Sequence, residues 1–478
     1  MTHTLYWWTG FEDQQTSRWF TTIGTAPTFD SSITSLSRYS AKWDGSAAGV
    51  TGELQMLNIL SDGLWGAGGG GGLDFVTTAL HLYISALPIS GQYIYLQALD
   101  RQGGVINACR VTDAGKLEVF NDNGSTWATS ANALSTGIWY VVSWESRRNG
   151  VLSAVARLRD TGATIASVTH GTASGNSTTL GIRLGPYSSS RGTWYIDNYV
   201  IEFDSVAGNV DDPVNLLGTR YAVGLPAMTG NGFYTGWSGT YTDVDDYPHD
   251  TDATYRSAAT VVAFTSVFAP TSSLAAQVAI VHGLLAFGFV RQEAGTPGFA
   301  IRVRSGTTDS TGTAFGVGSS YTVCHWRLLT DPATSSSWSV SGIDAVQAGF
   351  VRTGGTNTAR CTNVGYELLY SVGAITRTKV VAYMMDDFDP EQRVIDARTG
   401  EELPHEEIQP NVGWLRVTSG EMPDSNSPED AWEDETLLPI DSVRFSQDAS
   451  GTTLDIIPSS EGLAEQLVRG LANSAGTL

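Results

Sequence analysis

The sequence predicts a mainly β protein: two antiparallel β-sandwiches followed by a small acidic C-terminal segment with one helix. Three observations lead there. Over many short stretches apolar residues alternate with polar ones, the period of strands with one wet face. Gly, Ser and Thr are abundant, with 53 glycines among 478 residues, while Asp, Glu, Lys and Arg together make up only 16%. That mixture favours short strands joined by turns. Finally, 41% hydrophobic and 10% aromatic content is enough to bury cores, and at roughly 150 residues per domain the length suggests about three of them.

The elements follow in order. Within 1–205 the clearest strands are LHLYISAL (80–87), QYIYLQALD (92–100), KLEVFND (116–122), WYVVSWESR (139–147), VLSAVARLRD (151–160) and TWYIDNYVIEFD (193–204), with DAG and NDNG as turns. Strands this short and this regularly spaced predict a sandwich. WGAGGGGGLDF (65–75) is low in complexity. A phosphate-cradling loop needs a helix after it, whereas a strand-like stretch follows here, so a flexible loop or a contact with a neighbouring chain fits better. Residues 206–254, rich in Gly, Asp, Pro and Tyr, read as a connecting segment. A second sandwich is predicted over 255–378, from ATVVAFTSVFA, QVAIVHGLLAFGFVRQE, GFAIRVRSGTT, YTVCHWRLLTD and IDAVQAGFVRTG. The composition then changes. Residues 386–435 hold 16 Asp and Glu against three Arg, a net of −13. Within 379–478, GWLRVTSG and DSVRFS suggest short strands, and SEGLAEQLVRGLAN (460–473) is the one amphipathic helix.

A net charge of −22 with 27 Lys and Arg leaves no basic surface for nucleic acid. The longest apolar run, SLAAQVAIVHGLLAFGFV, contains His282 and two glycines, so strand–turn–strand suits it better than a membrane span. No basic stretch followed by an apolar core opens the chain, so no signal peptide is expected. Cys109, Cys324 and Cys361 form no spaced motif, which argues against a disulfide scaffold and a zinc site; a Cys324–Cys361 pair within one domain stays open.

For chemistry, a glycosidase needs two carboxylates about 5–10 Å apart. Glu118 and Asp122 share a strand face, but a hairpin end is the better home for them. No Gly-x-Ser-x-Gly elbow occurs, and the seven histidines are scattered. No catalytic residue is therefore assigned. Asp243, Asp245, Asp246, Asp250 and Asp252 crowd ten positions together with His249. Calcium takes six to eight oxygens from flexible Asp-rich loops, so these five are the candidate metal ligands and calcium the candidate ion. The order of residues is not that of an EF-hand, and a solvated joint turning at YPHD competes with the metal reading. Trp and Tyr rings stack on sugars, and Trp7, Trp8, Trp65 and Trp127 are the loop or edge candidates for ligand contact.

Two resemblances go beyond pattern. Residues 1–205 open with an aromatic strand into GFE, continue through SRYSAKWDG and close with GTWYIDNYVIEFD, with Asp197 before the last hydrophobic pair. This resembles concanavalin A-like (laminin G-like) jelly rolls, and it implies sandwiches of jelly-roll type. YTGWSGTYTDVDDYPHDTDATYRS (234–257), LLTDPATSSSWSVSGIDAVQAGFV (328–351) and RVIDARTGEELPHEE (393–407) are similar to segments of tailed-bacteriophage structural proteins, with Ser335 where that family usually has Gly. The resemblance implies a virion surface component: a capsid decoration or spike protein, or a tail fibre or tail-tip protein. Such a component is assembled in the host cytoplasm and released by lysis. Its expected partners are other virion proteins, copies of itself and a host-surface glycan, with no membrane insertion and no enzyme activity. A carbohydrate-binding lectin and a jelly-roll glycoside hydrolase or lyase are the alternatives.

Overall fold

A computed structural model describes residues 5–16, 20–45, 52–57, 75–101, 104–121, 126–147, 151–171, 181–185, 192–203, 214, 217–274, 278–293, 298–355, 358–372, 379–383, 413–419, 434–448 and 451–458. The chain divides into two units, Met1–Gly373 and Ala374–Leu478. It is mainly β, with antiparallel sandwiches of the jelly-roll kind.

The first sandwich pairs two sheets. One runs, in spatial order, Thr164–His170, Leu152–Leu158, Trp139–Arg147, Phe75–Ala86, Thr193–Phe203, Ser40–Asp44 and Thr28–Asp30, with Leu5–Thr9 added alongside Thr193–Phe203. The other runs Thr126–Ala133, Lys116–Asn121, Gly104–Thr112, Tyr93–Arg101, Gly181–Leu184, Gly52–Leu57 and Thr21–Gly24. Every strand expected from the alternation of this region is present. Alternate residues such as Leu80, Leu82, Ile94, Leu96, Val111, Leu117, Val119 and Ile182 fill the core. Trp43 and Trp194 stack within it with centroids 4.5 Å apart.

The second sandwich also has two sheets. Tyr221–Gly224, Ala359–Val372, Val278–Gln292 and Thr322–Leu328 form one, with Arg256–Ala258 beside Ala359–Val372. Met228–Thr235, Ala263–Phe268, Gln347–Gly354, Gly298–Ser305 and Thr308–Thr311 form the other, with Phe315–Gly316 beside Gly298–Ser305. The supposed connecting segment 206–254 thus supplies a strand to each sheet. In Met228–Thr235 the alternation is carried partly by Gly230 and Gly232, which hides it from a hydropathy reading.

The apolar run expected to fold as strand–turn–strand is a single strand, Val278–Gln292, paired along its length with Ala359–Val372. Its glycines make room rather than turns. A Cβ on Gly288 would lie 2.4 Å from the Phe350 ring and 2.6 Å from Asn363 O, and one on Gly283 would lie 2.8 Å from Trp8. Cys324 and Cys361 are both buried and free.

The two sandwiches meet without a polar gap. Trp8 Nε1 donates to Glu367 O at 3.3 Å, and Thr9 Oγ1 and Gly10 N donate to Glu367 Oε1 at 3.0 and 3.4 Å. Tyr221, Val223, Leu285 and Leu369 of the second sandwich belong to the first core.

In the second unit Lys379–Tyr383, Gly413–Ser419, Asp434–Asp448 and Gly451–Pro458 form an antiparallel sheet in that order. It includes both short strands expected there. The helix expected over 460–473 and the Gly-rich run 65–74 lie outside the described residues. Among the described residues no helix is long and apolar enough to cross a membrane.

Candidate functional site

In the seven-stranded sheet Ile94, Leu96, Val111, Leu117 and Val119 point into the core, so the residues between them line the opposite face. Cross-strand pairing aligns four polar residues in one row: Tyr95 opposite Arg110, Arg110 opposite Glu118, Glu118 opposite Thr129. Arg110 Nε donates to Glu118 Oε2 at 2.8 Å, and Arg110 Nη1 donates to Tyr95 Oη at 3.2 Å. Thr129 Oγ1 donates to Glu118 Oε1 at 2.8 Å. Arg110 Nη2 takes no part in these bonds.

The row is framed by rings. The Arg110 guanidinium lies 3.4 Å from the ring centroid of Tyr93 and 3.4 Å from that of Trp127, clamped between them. Phe120, directly opposite Trp127, packs on it at 5.0 Å. Tyr93, Tyr95, Phe120 and Trp127 are half-buried and Arg110 and Glu118 are buried, so the face presents ring edges and surfaces over an ordered polar row. Cation–π contacts of this kind contribute about 1–2 kcal/mol when desolvated. They hold the guanidinium in one orientation before any ligand arrives. Flat rings beside an ordered polar row suit a sugar, which stacks its C–H face and hydrogen-bonds through its hydroxyls.

Of the tryptophans singled out from sequence, Trp127 is on this face. Trp7 and Trp8 are corrected: they are 1% and 0% exposed. Trp7 packs edge-on to Phe20 and Tyr199, both at 5.6 Å, and Trp8 is sealed at the contact between the sandwiches. Neither leaves a surface for a ligand. Trp65 lies outside the described residues, as does Asp122. Glu118 pairs with a guanidinium, and both its carboxylate oxygens are taken up within the protein. Tyr93, Tyr95, Arg110 and Phe120 were missed. The signal for the two tyrosines was there, since Tyr-x-Tyr in QYIYLQALD puts both rings on one strand face.

Four of the five candidate aspartates are taken up by partners within the protein. Asp243 Oδ2 accepts the N–H and hydroxyl of Thr240 at the start of a short 3-10 turn. Asp250 accepts hydroxyls from Thr254 at 2.8 Å and Thr362 at 3.0 Å. Burial opposes its ionisation, but these hydroxyls outweigh it and hold its carboxyl below the usual range. Asp246 shares the Thr254 hydroxyl at 3.1 Å. Asp252 binds Arg291 Nη2 at 2.7 Å, Arg360 Nη1 at 3.0 Å and the Tyr321 hydroxyl at 2.9 Å, and its carboxyl is held low by the Arg291 hydrogen bond first. Asp245 is pushed up, by burial first and then by Asp246 and Asp243. Among the described residues no group of three or more His, Cys, Asp or Glu is placed to hold a metal ion. The loop is a docked joint: Val244 is fully buried, and Tyr247 Oη donates to Val364 O at 2.7 Å.

Another polar cluster is buried near the contact of the sandwiches. Asp197 is fully buried and accepts the N–H of Ser35 at 2.9 Å, the N–H of Asn198 at 2.7 Å and the hydroxyl of Ser37. Burial pushes its carboxyl up to about 7 against those hydrogen bonds and Arg159. Glu12, which accepts the N–H groups of Arg38 and Tyr39 at 3.0 and 2.9 Å, is pushed well up by burial and by Asp197. His81, 2.6 Å from Ser35 Oγ through Nδ1, is held neutral by burial and Arg159. Asn198, at φ 48°, spans the seam by accepting the Val223 N–H at 2.7 Å.

No family model matches the chain, and no curated protein matches it. Among solved structures it is similar to the exoplasmic/lumenal domain of VIP36 in its Ca2+/Man3GlcNAc-bound form, at 10% identity over 40% of this chain and 85% of that one, with a TM-score of 0.28. It is also similar to alginate lyase AlgAT5 of Polysaccharide Lyase family 7, at 15% identity over 34% and 76% of the two chains, with a TM-score of 0.25. The alginate lyase from Klebsiella pneumoniae matches at 10% identity over 35% and 81%, with a TM-score of 0.27. Likenesses this low carry no argument about ligands or chemistry.

Proposed function

We propose that the protein is a non-enzymatic structural component of a bacteriophage virion surface that adheres to carbohydrate through the outer face of the seven-stranded sheet. The observation that carries the adhesion is the Tyr95–Arg110–Glu118–Thr129 row, with its guanidinium clamped between Tyr93 and Trp127. Binding rather than turnover is supported by Glu118, whose two oxygens are engaged within the row. The virion setting is supported by the phage-like segments 234–257, 328–351 and 393–407. In that setting the protein is a capsid decoration or spike protein, or a tail fibre or tail-tip protein, assembled with copies of itself and other virion proteins.

A glycan array probed with the full chain tests the adhesion. Wild type is expected to bind a defined set of glycans, and Trp127→Ala to lose about tenfold or more in affinity, the size of one lost stacking contact and the guanidinium orientation it maintains. Binding that survives Trp127→Ala unchanged moves the site elsewhere. Release of new reducing ends or unsaturated sugars from a bound polysaccharide would replace adhesion with catalysis. Immunogold labelling of phage particles with antibodies to the chain tests the virion setting.

A further inference from the structure

We infer that the second sandwich carries its own binding site, for a carboxylate-bearing sugar such as a uronic acid residue, built from Phe233, Tyr234, Arg302 and Arg304 on the sheet that contains Gly298–Ser305. The site is distinct from the Trp127 face and does not depend on it.

The construction starts from an irregular edge. Met228–Thr235 pairs with Ala263–Phe268, but the register slips between Asn231 and Thr235. The residues in the slip are tied to the sheet face: Phe233 N donates to Gln347 Oε1 at 2.7 Å, and Tyr234 N donates to Thr265 Oγ1 at 3.2 Å. Only glycine allows that approach, since a Cβ on Gly232 would lie 2.4 Å from Thr265 Oγ1 and 2.6 Å from Gln347 Oε1. The slip carries the two rings over two arginines. Arg304 lies 4.1 Å from the Phe233 centroid and Arg302 lies 4.8 Å from that of Tyr234. An irregular edge strand is a common way to block edge-to-edge pairing, yet blocking an edge needs neither a solvent-facing phenyl ring nor a second cation. Phe233 is 64% exposed.

The charges do not balance. Asp309 is the one carboxylate in contact among the described residues, and both its oxygens are taken: Oδ1 by Arg304 Nη1 at 2.9 Å, Oδ2 by the Tyr234 hydroxyl. Arg302 makes a ring contact and lies within the field of Asp309 but has no hydrogen bond to it, and its Nε is buried without a hydrogen-bond partner. On a chain of net charge −22, this is a cation held against the Tyr234 ring, with the exposed Phe233 ring 5.0 Å beyond it. A guanidinium in that state recognises a carboxylate, and the exposed ring recognises the apolar face of a sugar. A uronic acid offers both on one residue.

Calorimetry on the full chain at low ionic strength, with trigalacturonic acid as probe and its methyl ester as the uncharged control, tests the site. The acid is expected to bind and the ester to bind at least about tenfold more weakly, the size of one lost charge-assisted hydrogen bond. Arg302→Gln and Phe233→Ala are each expected to lower the acid's affinity about tenfold. Phe233 is exposed, so its variant folds even if Arg302→Gln does not, and the melting temperature of each variant is checked first. Equal binding of acid and ester overturns the proposal, as does no binding of the acid or binding insensitive to Phe233→Ala. Loss of acid binding in Trp127→Ala alone assigns it to the first sandwich and overturns this site. A synthetic 386–435 peptide that binds in an Arg302-dependent way, where the uronate does not, shows that the face takes acidic protein instead.

Discussion

Ser335 has φ 55°, within the turn where the amides of Thr334 and Ser335 return to Asp331 O at 3.2 and 2.8 Å. In the left-handed region a Cβ crowds the following carbonyl and costs roughly 1–2 kcal/mol, whereas glycine is free of that cost but loses more entropy on folding. Ser335→Gly is therefore expected to raise stability by about 0.5 kcal/mol, the small difference between the two effects. Urea unfolding reads this as a higher midpoint at unchanged slope; a lower midpoint means that the serine side chain holds the turn. The strand that carries Tyr93 and Tyr95 was legible in sequence as QYIYLQALD. Arg110 was not, because nothing local to it says that Tyr93 and Trp127 close on its two faces. That needs the register of four strands at once. The aspartates mislead for the opposite reason. Nearness in sequence suggested shared ligands, whereas partners remote in sequence, Thr362 for Asp250 and Arg291 and Arg360 for Asp252, take up these carboxylates.

At the scale of elements, alternation sufficed for strands with one wet face and failed for strands buried on both. Ala359–Val372 is buried at nearly every position, and Val278–Gln292 beside it reads as a run of apolar residues broken by glycines. Glycine in such a run marks either a turn or a close approach of another chain segment, and only the packed structure separates the two. At Gly288 it is the approach of Phe350 and Asn363 O. Gly288→Ala is expected to destabilise the first unit by about 1–3 kcal/mol, the cost of overpacking a filled core, while the same change at the open Gly318 has no core to disturb. Comparative thermal unfolding checks this, and equal melting temperatures for Gly288→Ala and wild type would show that the strand yields locally. Leu5–Thr9 teaches the same lesson. Its aromatic sequence looked like a loop or edge, but the surface that covers Trp8 is contributed by Gly283 and Glu367, both remote in sequence.

At the scale of the whole first unit, the seam between the sandwiches holds acid groups in their protonated form, and that makes a pH dependence calculable in sign. Asp197 has an ordinary carboxyl pKa near about 3.9 when unfolded and about 7 when folded. The folded state therefore binds the proton more tightly. Its contribution to stability is complete below about 4 and is lost as pH rises through about 7, with a slope of about 1.4 kcal/mol per pH unit between them. Glu12 acts in the same direction. His81 acts oppositely: it is neutral when folded, so its contribution is present above the ordinary histidine pKa and is lost as pH falls. His249 and His282, also held low by burial, add to that opposing trend. A plain melting curve against pH thus mixes cancelling terms, and a single variant is needed to separate them. Asp197→Asn removes one titration, leaves the histidines in place and, by taking away the neighbouring charge, lessens the upward push on Glu12, which acts in the same direction. Its loss of hydrogen bonds to Ser35, Ser37 and Asn198 is a constant offset. The stability of Asp197→Asn relative to wild type should therefore climb between pH 4 and 8 and be flat below, whichever protein is the more stable at the start. A difference independent of pH would mean that Asp197 is ionised in the folded protein, with Arg159 and the Ser37 hydroxyl compensating its burial. The seam would then be an ionic contact rather than a protonated one.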